Sequence, residues 1–289
     1  MKEQRSGEGA GRALAAMACG GAFALLAQAV LWREFLVAYG GSELTLGAAL
    51  GLWLALVGAG AWLARQAPAG WAPGRVAGAA ACLLALAAVL LPAQWAAMRV
   101  ARTWIGVLPG EAVPWGALLA SLGVILAPLC LSLGALFPLL CRLAGHSRPG
   151  AAAAVYALEA LGSLAAGLLF TFWLVRAMTP LAVVALAGAL ALLAASGLAP
   201  RALPRVALGL LAFAWTAAAA CPAARAPLER AALEARWRSL GALAPGGGRL
   251  LASADSPYQN LALIETEGQY ALYADGRILG VFPDPVEAE

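Results

Sequence analysis

Lysine is nearly missing from this chain, and charge of either sign is scarce. Lys2 is the only lysine, and charged residues fill 12% of the 289 positions, about half the share of a soluble domain. Hydrophobic residues fill 63%, and the mean hydropathy is +0.82. So little charge excludes a water-soluble globule over most of the length; lipid is the solvent that suits it. The net charge of +4 comes from arginines scattered between apolar runs, as the positive-inside pattern requires. A concentrated basic face is missing, so no nucleic-acid partner is expected.

Histidine is scarce too. His146, beside Ser147 and Arg148, is the only one, and no Ser/His/Asp arrangement can be assembled around it. Cys19, Cys82, Cys130, Cys141 and Cys221 lie in or beside apolar runs without CxxC or Cys/His spacing. Neither a zinc site nor a disulfide framework is therefore expected, and the thiols read as small buried side chains. The stretch "GAGAWLA" (58–64) only superficially resembles a dinucleotide fingerprint, because it lies inside an apolar run with no strand before it. No metal and no cofactor resident in this chain is expected.

What the chain has in abundance is long apolar runs. A membrane span needs about 20 apolar residues, and seven candidates lie at roughly 13–38, 44–64, 76–98, 115–141, 151–175, 178–198 and 204–222. Lys2, Arg5 and Arg12 precede the first run, which is too long for a signal peptide and reads as a retained span. The segment 93–115 mixes Trp95, Trp104 and Trp115 with Arg99 and Arg102 and reads as interfacial. Seven spans put the two ends on opposite sides. Arg65, Arg75, Arg142, Arg148, Arg201 and Arg205 favour a cytoplasmic N-terminus, whereas Arg225, Arg230, Arg236 and Arg238 favour a cytoplasmic tail; orientation stays open.

Composition divides the chain into a transmembrane helical domain (1–222), an amphipathic connector with a glycine-rich joint (223–248) and a β-region (249–289). In the connector, Leu228, Leu233, Trp237 and Leu240 interrupt the charges at helical spacing, which predicts a solvated helix on the membrane surface. Beyond it, 261–265, 269–275 and 277–282 read as strands, with 249–254 as a possible fourth. Asp275–Gly276 is a type I′ hairpin signal and Gly268 marks another turn. The fold class is thus an α-helical polytopic membrane bundle followed by a small antiparallel hairpin or meander. A sheet that small, without a covering helix, is marginal in water and expects a partner.

Four polar residues inside the apolar runs are candidates for function. Gln28, Arg33 and Glu34 sit late in the first run. Arg33 and Glu34 are adjacent, do not face each other on a helix, and near a span end can snorkel to water. Glu159 lies about two turns inside the fifth run, where an ionised carboxylate is costly and therefore marks proton or cation handling. The structural alternative is a neutral Glu159, or one paired with Arg33 to lock two helices. Gly162 and Gly167 on the same run suit close helix packing.

Three stretches together resemble the membrane-fused members of the spermidine synthase (polyamine aminopropyltransferase) family. "QAVLWREFLVAYGGSELTLGAALGLWLALVGAG" (28–60) is similar to the family's Q-x-x-L-x-R-E…G-x-E-L-x-L-G pattern. "YALEALGSLAAGLLFTFWLV" (156–175) is similar to its Y-x-x-E-x-L-G-S-x-x-G-G pattern, and "SPYQNLALIE…GQYALYADGRILGVFPDP" to the β-hairpin region before its catalytic domain. The resemblance implies aminopropyl transfer from decarboxylated S-adenosylmethionine to a diamine, without metal. It implies that Tyr258 and Gln259 lie on the substrate side, with Gln259 near the sulfonium donor, and that the hairpin aids homo-oligomer formation. Ala288 stands near the tyrosine of a D-x-x-x-Y stretch. It places a Rossmann-like catalytic domain beyond Glu289, so this chain alone is expected to be the inactive, truncated membrane portion of such a protein in a bacterial inner (plasma) membrane. A membrane carrier for polyamine or another small cation, and an anchor for a separate soluble enzyme, are the competing expectations.

Overall fold

The computed structural model describes residues 2–108, 111–145, 150–243, 248–256 and 258–283, with side chains from Ala10 onward. Eight helices precede four strands among these residues. The helices are α1 (Lys2–Tyr39), α2 (Glu43–Arg65), α3 (Pro73–Ile105), α4 (Trp115–Gly145), α5 (Ala151–Ala177), α6 (Pro180–Leu198), α7 (Ala202–Ala220) and α8 (Pro222–Ser239). The first seven are long and apolar enough to cross a bilayer. Even the shortest, α6 and α7 with 19 residues each, reach about 28 Å at 1.5 Å per residue, close to the hydrocarbon thickness.

Local chemistry sets the helix ends. Gly40 at φ +66° halts α1, and Ser42 and Thr45 then form a reciprocal capping box that starts α2. Pro73, Pro180 and Pro222 occupy first-turn positions whose N–H needs no partner. Thr179 caps α6 through the Ala182 N–H, at 3.3 Å. A π turn over Phe170–Leu174 interrupts α5.

The bundle is organised around α1, which packs against α3, α4, α5 and α6. Phe23, Leu26, Leu31 and Phe35 of α1 are fully buried with Leu84, Leu91 and Met98 of α3. Two helix pairs approach backbone to backbone. A Cβ on Gly162 of α5 would overlap the Ala18 carbonyl of α1, and one on Gly134 of α4 would overlap the Val57 carbonyl of α2. Ser163 adds a hydrogen bond from its hydroxyl to the Gly21 carbonyl across the α1–α5 contact, at 3.0 Å. Small residues at such crossings gain dispersion contacts, which lipid-facing helices need because no hydrophobic effect drives them together.

Short connections alternate the direction of the spans, so the C-terminal ends of α1, α3, α5 and α7 share one end of the bundle. The sheet sits there. β1 (Gly248–Asp255), β2 (Asn260–Thr266), β3 (Gln269–Ala274) and β4 (Arg277–Phe282) form an antiparallel meander in chain order. Both tight turns carry positive φ: Glu267 and Gly268 at +51° and +84°, Asp275 and Gly276 at +44° and +76°. The expected I′ geometry at Asp275–Gly276 is present.

Three expectations need correction. The meander takes up the 249–254 run as its first strand, as allowed for, but Cys82 and Cys221 are exposed where buried thiols were expected. The sheet is covered: Trp237 of α8 is fully buried against Ala262, Ile264 and Tyr273, with a ring separation of 5.2 Å from Tyr273. α8 is therefore a packing helix rather than a solvated connector. The segment after residue 93 is no separate interfacial element either, since α3 continues to Ile105 and buries Trp95, Arg99 and Arg102.

Candidate functional site: an ionic seam between bundle and sheet

Two adjacent residues of α1 tie the bundle to everything that follows it. Successive helix positions point about 100° apart, so Arg33 and Glu34 address different neighbours. Glu34 turns inward and is 2% exposed. It accepts a hydrogen bond from Arg99 Nη2 of α3 at 2.7 Å and from Arg236 Nη2 of α8 at 2.6 Å to each carboxylate oxygen. Both arginines are buried, and Arg99 also lies over the Trp95 ring at 4.0 Å. Arg33 points to the sheet, where Nη2 donates to Asp255 Oδ1 at 3.2 Å and to the Ser256 carbonyl at 2.8 Å.

Asp255 closes β1 and is braced by Asn260, whose Nδ2 donates to it at 3.0 Å. Burial alone would push the Asp255 carboxyl up. Arg236, the Asn260 hydrogen bond and Arg33 together outweigh it and hold this carboxyl below its usual range. The seam thus contains three guanidiniums and two carboxylates and keeps one positive charge in surplus. Nε of Arg99 and Nε and Nη1 of Arg236 are buried without a hydrogen-bond partner among the described residues.

Further contacts reinforce the seam. Arg102 donates to the carbonyls of Ala38, Leu108 and Glu111 at 3.3, 3.1 and 2.8 Å, fixing the exit of α3. Ser239 Oγ of α8 accepts from the Thr103 N–H at 3.2 Å. Arg277 reaches the Gly40 carbonyl at 3.3 Å, and Gly276 sits so close to the Val37 carbonyl that a side chain there would meet it. Glu229 of α8 accepts from Thr179 and pairs with Arg225 at 2.8 Å.

The expected site residues are distributed unevenly around this seam. Arg33 and Glu34 are its centre; neither snorkels, and both hold internal partners. Tyr258 and Gln259 follow it in the β1–β2 connection. There the Ser256 hydroxyl accepts from the N–H of both at 3.2 and 3.0 Å, leaving the Tyr258 side chain 91% exposed. Gln28 is half-buried one and a half turns before Arg33, with no hydrogen bond among the described residues. Glu159 stands apart. It is half-buried on α5, where its backbone carbonyl faces Gly21 of α1, its side chain makes no hydrogen bond or ion pair among the described residues, and Arg33 pairs with Asp255 instead of with it. Ala288, His146 and most of the glycine-rich joint lie outside the described residues.

Arg99, Arg236 and Asp255 were the residues that local reading missed. Arg236 lies 202 positions from Glu34, and no local pattern joins them. The available signal was the unmatched Arg33–Glu34 pair at a span end, with Arg99 at the corresponding end of a parallel span. Among the described residues no group of three His, Cys, Asp or Glu side chains is placed to hold a metal ion. No protein-family model, curated protein or solved structure matches the chain.

Proposed function

We propose that this chain is the membrane portion of a spermidine synthase-like protein, built to hold a small substrate-side sheet rigidly at the bilayer surface. The observation that carries this reading is that the three stretches on which the resemblance rests meet on α1. Arg33 of the first stretch reaches Asp255 and Ser256, directly beside and within the third. Gly162 and Ser163 of the second pack on Ala18 and Gly21 of the same helix. Segments separated by more than a hundred residues would then be held in common because they form one constellation.

On this reading, aminopropyl transfer from decarboxylated S-adenosylmethionine falls to a Rossmann-like domain, linked or separate, that docks on the outer face of the sheet. Leu272, Phe282 and Tyr270 are exposed there, and Tyr258 and Gln259 lie at its edge. Asp255 and Arg33 would set the position of that edge. The test is an assay of solubilised native membranes for transfer of a labelled aminopropyl group to putrescine, with the tagged chain pulled down. Activity should accompany the chain and fall in Asp255→Ala, which releases the β1–β2 connection. A pull-down without transferase activity and without a Rossmann-like companion would sink the proposal.

Glu159 favours a second reading, a carrier for a small cation. An unpaired carboxylate on a span is expensive unless it works. Proteoliposomes holding the chain should take up labelled polyamine, and Glu159→Gln should abolish uptake. Equal uptake by the variant removes Glu159 from any pathway.

A further inference from the structure

Between the last turns of α3 and the middle of α8 runs a groove of about 290 Å³. Its walls are Ala93, Ala96, Ala97 and Val100 on one side, Ala232 and Ala235 on the other. Alanine on both walls keeps it open, because leucines at these positions would fill it. A single ordered water needs only about 30 Å³, and an apolar groove offers water no partners. Ala93 and Ala96 are exposed on a helix that crosses the bilayer, so the groove opens sideways toward lipid. Trp104, 68% exposed, lines its end near the helix terminus, the headgroup level where indole rings settle.

The groove has one charged wall residue, Arg99, which is 6% exposed. Its Nη2 is engaged by Glu34, whereas Nε is buried without a partner and Nη1 makes no hydrogen bond among the described residues. A buried guanidinium N–H left unpaired is costly, and the seam behind it holds one cationic charge beyond its carboxylates. An apolar trough that faces the bilayer and has an under-coordinated guanidinium in its wall matches an acyl chain carrying an anionic head.

We propose that this groove binds an anionic phospholipid of the host bilayer, with an acyl chain along the alanines and the headgroup phosphate at Arg99. Charge-assisted bonds from a guanidinium to phosphate are among the strongest hydrogen bonds available to it. The bound lipid would complete the coordination that Glu34 leaves unfinished and seal α8 onto α3. This inference concerns the seam alone and does not depend on the aminopropyltransferase reading.

The test uses the full chain in nanodiscs or detergent, titrated with phosphatidylglycerol or with phosphatidylcholine of the same acyl chains, and read by native mass spectrometry and thermal shift. Phosphatidylglycerol should bind more tightly by about fivefold, the factor expected for one arginine near an anionic headgroup. Ala96→Phe, a change on the lipid-exposed wall that should not disturb folding, fills the trough and should erase the preference. Val124→Phe, exposed on α4, should keep it. Equal binding of the two lipids, or a preference that survives Ala96→Phe, overturns the proposal. So does full stabilisation by inorganic phosphate in phosphatidylcholine discs, which would make the site one for a free anion.

Discussion

Replacing Glu34 by Gln should detach α8 and the sheet while leaving the seven-span bundle folded. Among the described residues the carboxylate is the sole anionic partner of both Arg99 and Arg236 within hydrogen-bonding distance, and its loss leaves two guanidiniums buried side by side. Breaking a buried ion pair by removing one partner costs about 3–5 kcal/mol. The bundle core from Phe23 to Leu129 does not use the carboxylate, so the cost falls on the attachment of α8. At about 1.4 kcal/mol per tenfold, the detached population should rise by two to more than three orders of magnitude. Trypsin reads this directly, because Arg236 is buried and Arg238 lies two residues on; hydrogen exchange across 222–283 gives the same information without cleavage. Arg236→Met should be milder, since Glu34 and Arg99 then form a balanced pair. The double variant Glu34→Gln/Arg236→Met should recover part of the loss of Glu34→Gln alone, as coupled residues do. Unchanged protection in Glu34→Gln, or a double variant worse than the sum of the singles, would refute the reasoning.

Lowering the pH should loosen the sheet through Asp255. Its carboxyl sits below the usual range in the fold, so the detached form binds the extra proton first: the stabilisation is complete above about pH 4, near the ordinary aspartate value, and is lost as pH falls through the folded value. Exchange protection of β1 should drop across that acid window, and Asp255→Asn should flatten the profile; a flat profile in the parent would contradict it. Gly162→Ala should destabilise the α1–α5 contact by about 1–3 kcal/mol, as overpacking does, whereas Gly123→Ala, with open space at its Cβ, should be neutral by thermal melting in detergent. Tyr258→Cys, at a 91% exposed position, should react with an impermeant maleimide only from the cytoplasmic side if the aminopropyltransferase reading holds. Labelling from the opposite face of sealed vesicles would exclude that reading and leave the carrier standing.

The sidedness experiment matters because the seam changes how the charges are counted. On the sheet end, Arg33, Arg99 and Arg236 are committed to carboxylates and Arg102 to carbonyls. Arg65, Arg75 and Arg201 at the other end pair with no carboxylate among the described residues. Arg142 and Arg205 at that end are likewise committed to carbonyls, so the arginine count leaves the orientation to the labelling.

Spans were legible because twenty apolar residues leave one local solution in lipid, and each of the seven runs became a helix. Both hairpins were legible because Asp275–Gly276 and Gly268 impose positive φ. α8 was recognisable as a helix from its leucines, but its role was not. Trp237 and Arg236 are neighbours in a charged segment, and only the fold reveals that one caps a sheet while the other enters the bundle. Long-range pairing leaves no periodicity to read, so Asp255 and Arg236 surfaced only once Arg33 and Glu34 had been followed to their partners.

The first span also has a length that does not match its solvent. Its 30 residues from Ala10 to Tyr39 measure about 45 Å along the axis, half again the hydrocarbon thickness. Such a helix leans or protrudes, and because α1 is packed against α3, α4, α5 and α6 its lean is that of the bundle. Arg33 and Glu34, one residue apart near its end, fasten α8 and β1 to the same lever. Any tilt the bundle takes up would therefore carry the sheet with the helix tip as one body.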